Sequence, residues 1–270
     1  MSRAYLHRRR EASSAREIQT VLDVERASRH VRAVTVDILG PREIERMRQA
    51  GAAAAATLTS VGQRLRAGVS TADIDGWVRE HTRRLGGTPS QLGYEGFPAA
   101  VCTSRNEVVC HGIPRREEIL RPGDIINVDV TTCLAGFHGD TSATFLVGDP
   151  TPEARHVVDV ARRCRDAGIA VVRDGARLGD IGAAIERLAA EEGCSVVRSF
   201  GGHGIGRRMH MDPHVSHVGQ QGTGLRLRAG MALTVEPMIN LGTSDVRVRD
   251  DGWTVVTADG SLSAQFEHTV

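Results

Sequence analysis

The 270-residue chain contains no lysine: all 34 residues in the Lys+Arg count are arginines. This removes Schiff-base catalysis by a lysine amine and the phosphate-gripping lysine of a P-loop. Aromatic residues make up 3% of the chain, which argues against a stacking platform for single-stranded nucleic acid. A formal net charge of +1 supplies no global field toward DNA or an anionic membrane. The nearest thing to a long apolar run, Ala52 to Leu58, falls well short of the roughly 20 residues that cross a bilayer. Five cysteines (Cys102, Cys110, Cys133, Cys164, Cys194) form an odd set without a C-x-x-C pair. They build neither a secreted disulfide framework nor a zinc ribbon, and they predict buried thiols in a reducing, cytoplasmic setting. No G-x-S-x-G elbow occurs, so serine hydrolase chemistry is disfavoured.

Residues 1–36 read as an N-terminal extension, flexible or forming a docking helix. Ser14-x-x-Glu17 ahead of Ile18, Val21 and Leu22 resembles a capping box. Arg8-Arg9-Arg10 reads as a solvated face, with transient ribosome contact as the alternative. The extension lacks the apolar stretch of a secretory signal and is too acidic for an organelle transit peptide.

Residues 37–270 read as one globular domain. Pro41 opens a helix expected to run to Leu65 before Gly68 ends it, and Thr71 to Leu85 predicts a second, stopped by Gly86-Gly87. An internal repeat then emerges. An offset of 107 residues maps Gly68 onto Gly175, Asp73 onto Asp180, Ile74 onto Ile181 and Gly86 onto Gly193. It also maps Leu120 onto Leu227, Gly123 onto Gly230, Val128 onto Val235 and Asp129 onto Glu236. Two halves, each of two helices followed by a strand carrying an acid, predict a pseudo-twofold α+β domain. Its sheet is expected to be curved and mostly antiparallel, with helices packed on the outer face. Two equivalent strands about a local axis would bring Asp129 and Glu236 to one central cleft.

Ile125 to Val147 reads as a β-hairpin turning near Leu134-Ala135-Gly136. A two-residue turn at Leu134-Ala135 would set Asp129 directly opposite Asp140, their Cβ atoms roughly 5 Å apart. Carboxylates that close repel unless a cation lies between them. With His203, Glu236 and Glu267 they form a set of hard donors suited to two divalent ions of the Mn, Fe, Co or Zn type. Glycines on either side of His203, in Gly201-Gly202-His203-Gly204, leave room for backbone to pass close to a metal or substrate. Glu236 ends a strand before Pro237, and Glu267 is expected on an inner strand, where a buried acid needs a partner. His138, His214, His217, His268 and His81 read as structural or solvated.

Seven motifs carry a family resemblance: Cys110-His111-Gly112-Ile113-Pro114, Asn127-Val128-Asp129-Val130-Thr131, His138-Gly139-Asp140-Thr141, Gly202-His203-Gly204-Ile205-Gly206, Val235-Glu236-Pro237-Met238, Asp251-Gly252-Trp253-Thr254-Val255 and Gln265-Phe266-Glu267-His268-Thr269. In this order they resemble the type I methionine aminopeptidases, peptidase family M24, which have the pita-bread fold. The resemblance implies removal of the initiator methionine from nascent proteins and peptides by a hydroxide activated between two metal ions. Asp129 would serve one ion, His203 and Glu236 the other, and Asp140 and Glu267 both. Glu236 would also shuttle protons, His210 would hydrogen-bond the scissile carbonyl, and His111 would contact the departing amide nitrogen. Tyr94, Phe97, Cys102 and Trp253 would line an apolar pocket for the methionine side chain. Asn106 and Ser263 fall where some relatives hold a monovalent cation. Met209 stands where a bulky aromatic is usual. Val270, the last residue, is the third after Glu267, where relatives usually continue with another strand; a chain cut short there, or a natural edge left uncovered, would weaken the strand that holds Glu267. The implied partners are peptide N-termini beginning with methionine, without DNA or membrane, and the implied state is a monomer. The alternatives are an Xaa-Pro peptidase of the same fold, which usually carries a large additional N-terminal domain, and a non-catalytic binding protein. The latter is disfavoured because no expected ligand is missing.

Overall fold

The computed structural model describes residues 36–270; the expected extension, save Val36, lies outside the described residues. Four α-helices are present among them: α1 (Pro41–Gly62), α2 (Thr71–Arg84), α3 (Pro152–Ala170) and α4 (Leu178–Glu191). The first seven strands are β1 (Thr88–Pro89), β2 (Cys102–Arg105), β3 (Val108–Cys110), β4 (Ile125–Leu134), β5 (Phe137–Leu146), β6 (Ser195–Val196) and β7 (Gly202–Gly204). The remainder are β8 (Met211–Val215), β9 (Thr234–Val235), β10 (Met238–Asn240), β11 (Val246–Val248), β12 (Val255–Thr257), β13 (Ser263–Gln265) and β14 (Glu267–Thr269).

Helix α1 starts where Pro41 fixes φ and the Glu43 carboxylate accepts the Gly40 N–H at 3.0 Å. Its buried face, Met47, Ala50, Ala54, Leu58 and Val61, recurs at helical spacing. That face is rich in alanine because strand β5 comes very close: a Cβ on Gly139 would lie 2.3 Å from the Gly51 nitrogen. The helix ends before Leu65 because its last turn tightens, with Arg64 N–H bonding the Val61 carbonyl three residues back at 2.9 Å.

All strand pairings among the described residues are antiparallel. The largest sheet has the order β1-β4-β5-β14-β9, with β2 also on β4. In the long β4–β5 hairpin, alternation separates two chemistries. Ile126, Val128 and Val130 belong to an apolar cluster with Leu58, Ile74 and Val78 of helices α1 and α2. The opposite face carries Asn127, Asp129 and Thr131, paired across the hairpin with Thr144, Ser142 and Asp140. A second cluster, around Val157, Val160, Ile181, Ile185, Val235 and Ile239, packs α3 and α4 against the other half of the sheet system.

Segments 107 residues apart make the same bonds. Gly68 N–H bonds the Leu120 carbonyl at 2.8 Å, and Gly175 N–H bonds Leu227 at 2.9 Å. Isolated bridges join Ser70 to Ile119 and Arg177 to Arg226. Gly68 and Gly175 take φ of 88° and 85°, and Gly123 and Gly230 take 96° and 94°, values that L side chains avoid.

Candidate metal centre and substrate pocket

Correct register comes first. The hairpin turns at Ala135-Gly136, whose φ values are 51° and 78°, so Leu134 pairs with Phe137. Two consecutive positive φ values define a type I′ turn, which glycine at its second position eases and which a turn at Leu134-Ala135 would lack. The expectation that Asp129 directly faces Asp140 is therefore off by two: Asp129 faces Ser142, and Asp140 faces Thr131. The shift is even, so both acids stay on the same face as diagonal neighbours.

Strand β14 lies between β5 and β9, so Glu267 does not stand on an uncovered edge. Glu267 pairs with Ser142, which puts Asp129, Ser142 and Glu267 in one row across three strands. Val270 is itself fixed by reciprocal bonds with Leu233 of 2.9 and 2.8 Å. Glu236 follows β9 directly, and His203 sits mid-strand in β7, backed by Thr234.

A cavity of about 310 Å³ gathers Asp129, Asp140, His203, Glu236 and Glu267 with His111, His210, Tyr94, Phe97, Cys102 and Trp253. All eleven residues singled out in the sequence thus line one space. Single ligand atoms of Asp140, His203 and Glu267 lie within 4.8 Å of one another. His203 Nε2 is 3.6 Å from Glu236 Oε1 and 3.9 Å from Asp140 Oδ2. Its Nδ1 lies 3.0 Å from the Gly204 carbonyl, which only accepts. The proton therefore belongs on Nδ1, and the Nε2 lone pair faces the acids, the tautomer a metal ligand requires.

Asp140, Glu236 and Glu267 are buried, and what Asp129 exposes opens to the cavity. Thr131 Oγ1 donates to Asp140 and Thr234 Oγ1 to Glu236, each at 2.7 Å. Gln265 Nε2 adds a bond to Glu236 at 3.2 Å. Asp129 Oδ1 and Glu267 Oε1 have no hydrogen-bond partner. No arginine among the described residues lines this cavity. Burial, reinforced by the neighbouring acids, holds the Asp129 and Glu267 carboxyls well above the ordinary carboxylate range. Burial also raises Asp140 to about 6 and Glu236 to about 8. It lowers His203 and His111 to about 4, so both imidazoles are neutral near pH 7. Clustered buried acids with orphaned oxygens and no guanidinium beside them are what a divalent cation neutralises. The donor set fits such ions.

The apolar wall is equally specific. Phe97, Ala99 and Cys102 pack with Ile113 and Trp253, and the Phe97 and Trp253 rings meet edge to face at 5.2 Å. His111 follows β3 at φ 55°, an uncommon conformation for a non-glycine residue. Its ring stands edge-on to Phe200 at 5.7 Å. His210, exposed at the mouth, meets Tyr94 at 4.9 Å and His203 at 4.3 Å between ring centroids.

The room beside the His203 glycines is filled by protein: a Cβ on Gly202 would lie 2.2 Å from the Thr234 carbonyl oxygen, and one on Gly204 2.1 Å from that of Asp212. They permit close strand packing, and Gly201 and Gly202 also line the cavity, so backbone passes beside the candidate ligands as expected. His217, read as structural or solvated, is structural. It is buried, and its Nε2 accepts the backbone N–H of Glu236 at 3.1 Å. It therefore positions a proposed ligand, and its sequence neighbourhood holds no motif that could have revealed this. His214 also lines the cavity.

The model of metallopeptidase family M24 matches residues 45–270. Methionine aminopeptidase A of Synechocystis is 50% identical over 236 residues, covering 87% of this chain and 93% of that one. The crystal structure of methionine aminopeptidase from Rickettsia prowazekii superposes with a TM-score of 0.86 at 45% identity, covering 87% of this chain and 95% of that one. An Xaa-Pro dipeptidase from Bacillus anthracis, at 20% identity and TM-score 0.68, shares the fold, and the match spans only 58% of that chain. With the metallopeptidase model spanning the described domain and near relatives matched almost end to end, this chain belongs to the M24 metallopeptidases, in their methionine aminopeptidase branch.

Proposed function

We propose that the chain removes the N-terminal methionine from peptides and nascent proteins, using two divalent cations held by Asp129, Asp140, His203, Glu236 and Glu267. The observation that carries this reading is the group of buried acids with orphaned oxygens at the floor of a cavity whose side wall is apolar. Asp129 would serve one ion, His203 and Glu236 the other, and Asp140 and Glu267 would serve both. When bound, the ions supply Lewis-acid activation of a carbonyl and of water.

The chain's own residues do the rest. Tyr94, Phe97, Cys102 and Trp253 take the methionine side chain, where thioether and aromatic contacts are favourable. Met209, buried against the same cavity, shapes it where an aromatic is usual. His210 donates to the scissile carbonyl oxygen as negative charge grows there. The neutral His111 imidazole meets the departing amide nitrogen. Glu236 accepts the proton released from water and returns it to the leaving amine.

A monovalent cation beside Asn106 and Ser263 belongs to the same reading. Asn240 faces Ser263 across β10 and β13, and Asn240 Oδ1 and Ser263 Oγ are buried without partners. The domain acts as a monomer in the cytoplasm, built of two halves related by the 107-residue offset. Transient ribosome contact would fall to Arg8-Arg9-Arg10, outside the described residues. None of the described helices is long and apolar enough to cross a membrane.

The test is release of free methionine from Met-Ala-Ser with added Mn(II) or Co(II). A chelator should abolish release and fresh ion restore it. A folded chain inert with every metal tried would overturn the reading.

A further inference from the structure

Glu95 occupies an unusual place in this cavity. It lies in the short 3₁₀ turn Tyr94–Gly96 at φ 48°, between Gly93 and Gly96 at 80° and 91°. A glutamate in that region of backbone space is held there by its surroundings. Gly93 N–H bonds the Phe97 carbonyl at 2.9 Å, and Phe97 N–H bonds that of Tyr94 at 2.8 Å. Tyr94 and Phe97 are walls of the cavity, so the turn is anchored on both sides while Glu95 is exposed at the rim. Its carboxylate has no hydrogen-bond or ion-pair partner among the described residues and lies within electrostatic reach of His210.

A peptide seated with its first side chain in the apolar pocket and its terminus at the buried acids must leave past His210 and this rim. Among the described residues, Glu95 is the only carboxylate lining the cavity besides the candidate ligands, and no arginine does. Arg207 is engaged with Glu43 at 3.0 Å. Arg208, within electrostatic reach of Tyr94, is the nearby opposing charge and does not line the cavity.

We infer that Glu95 is a specificity-determining residue that favours basic over acidic side chains just downstream of the N-terminal methionine. This rests on the aminopeptidase reading above. An exposed charge acting over one or two residue lengths gives a preference of about 3- to 10-fold at low ionic strength, screened as salt rises.

The experiment compares kcat/KM for Met-Ala-Arg-Ser and Met-Ala-Glu-Ser, with Met-Ala-Gln-Ser as the neutral peptide, in the full chain loaded with Mn(II). The basic-to-acidic ratio should exceed one in the parent, fall toward one in Glu95→Gln, and invert in Glu95→Arg. Each ratio is internal to one protein, so a general loss of activity cancels. Equal ratios in all three proteins, each cleaving the neutral peptide, would overturn the inference and leave the aminopeptidase reading standing. A parent that releases no methionine from the neutral peptide would overturn both. Should the variants not fold, the parent alone decides, because a ratio that does not fall with added salt rules out the charge effect.

Discussion

Residues 68–146 and 175–269 share a scaffold and differ in how they load the site. Both open on a glycine with φ near 86°, bond it to a leucine carbonyl, and then run a helix 14 residues long. The first region then spends its acids on one continuous hairpin of two ten-residue strands, where alternation alone sends Asp129 and Asp140 to the polar face. The second delivers His203 and Glu267 from two separate short strands and Glu236 from the residue just after a third. A regular strand can place two ligands by periodicity. Placing three on short segments takes tertiary contacts: Thr234 braces His203 and Glu236, His217 and Gln265 brace Glu236, and pairing with β5 sets Glu267.

The strongest way to break this contrast is to delete one proposed ligand at a time. Asp140→Ala should lose both ions and lower turnover by more than about 100-fold, since loss of a supporting contact alone costs 10 to 100-fold. Asp129→Ala should keep roughly half the metal, because His203 and Glu236 stand in the other region. Metal analysis beside turnover checks both, and full occupancy in Asp140→Ala would defeat the assignment. Next in size, His210→Ala should retain metal yet cut kcat by about 100-fold, the scale of one lost oxyanion contact. Unchanged kinetics would remove its role.

Packing offers a smaller contrast. Gly139→Ala puts a methyl against backbone of α1 and should cost about 3 kcal/mol. Gly168→Ala meets only the side-chain ends of Ile185 and Val235, at 2.8 and 3.0 Å, which can yield, so about 1 kcal/mol is expected. Urea midpoints of the two variants should therefore separate, and equal midpoints would show that the helix–hairpin contact is not as rigid as drawn.

The smallest effect concerns the helix caps. Asp73 accepts the Ser70 N–H at 2.9 Å and its hydroxyl at 2.7 Å, which hold its carboxyl below the usual range. Asp180 accepts from Gly222 and Arg177 backbone, likewise lowered, without a capping hydroxyl. A lowered carboxyl stabilises the fold above its unfolded pKa and loses that contribution as pH falls through the folded value. Asp73→Asn and Asp180→Asn should each be less stable than the parent near neutral pH and converge with it in strong acid. Denaturation midpoints at several pH values check this, and a gap that persists in acid would assign the effect to packing.

Much of this was legible in the residues. Helix starts at Pro41 and Thr71, the hairpin, and the five donors follow from capping chemistry, period-two alternation and the spacing of acids among apolar strands. The hairpin register was not, because whether Leu134-Ala135 or Ala135-Gly136 forms the turn depends on which residues accept positive φ in context. The His203 glycines were legible in part: sequence shows that room is made, and only packing shows that the Thr234 and Asp212 carbonyls share it with the cavity. His217 was invisible because its partner is a backbone N–H, which carries no side-chain signature.

By itself the sequence determined the inventory: which side chains can hold a cation, which half supplies each, and which chemistries the lack of lysine forbids. Tertiary structure decided that these groups share one cavity and that β14 is enclosed on both sides. It also decided that, among the described residues, Glu95 stands at the rim without a partner and no guanidinium lines the cavity. The reason is physical. Local rules fix the face a side chain points to, whereas burial, pairing and the company of distant charges exist only after the chain has closed on itself.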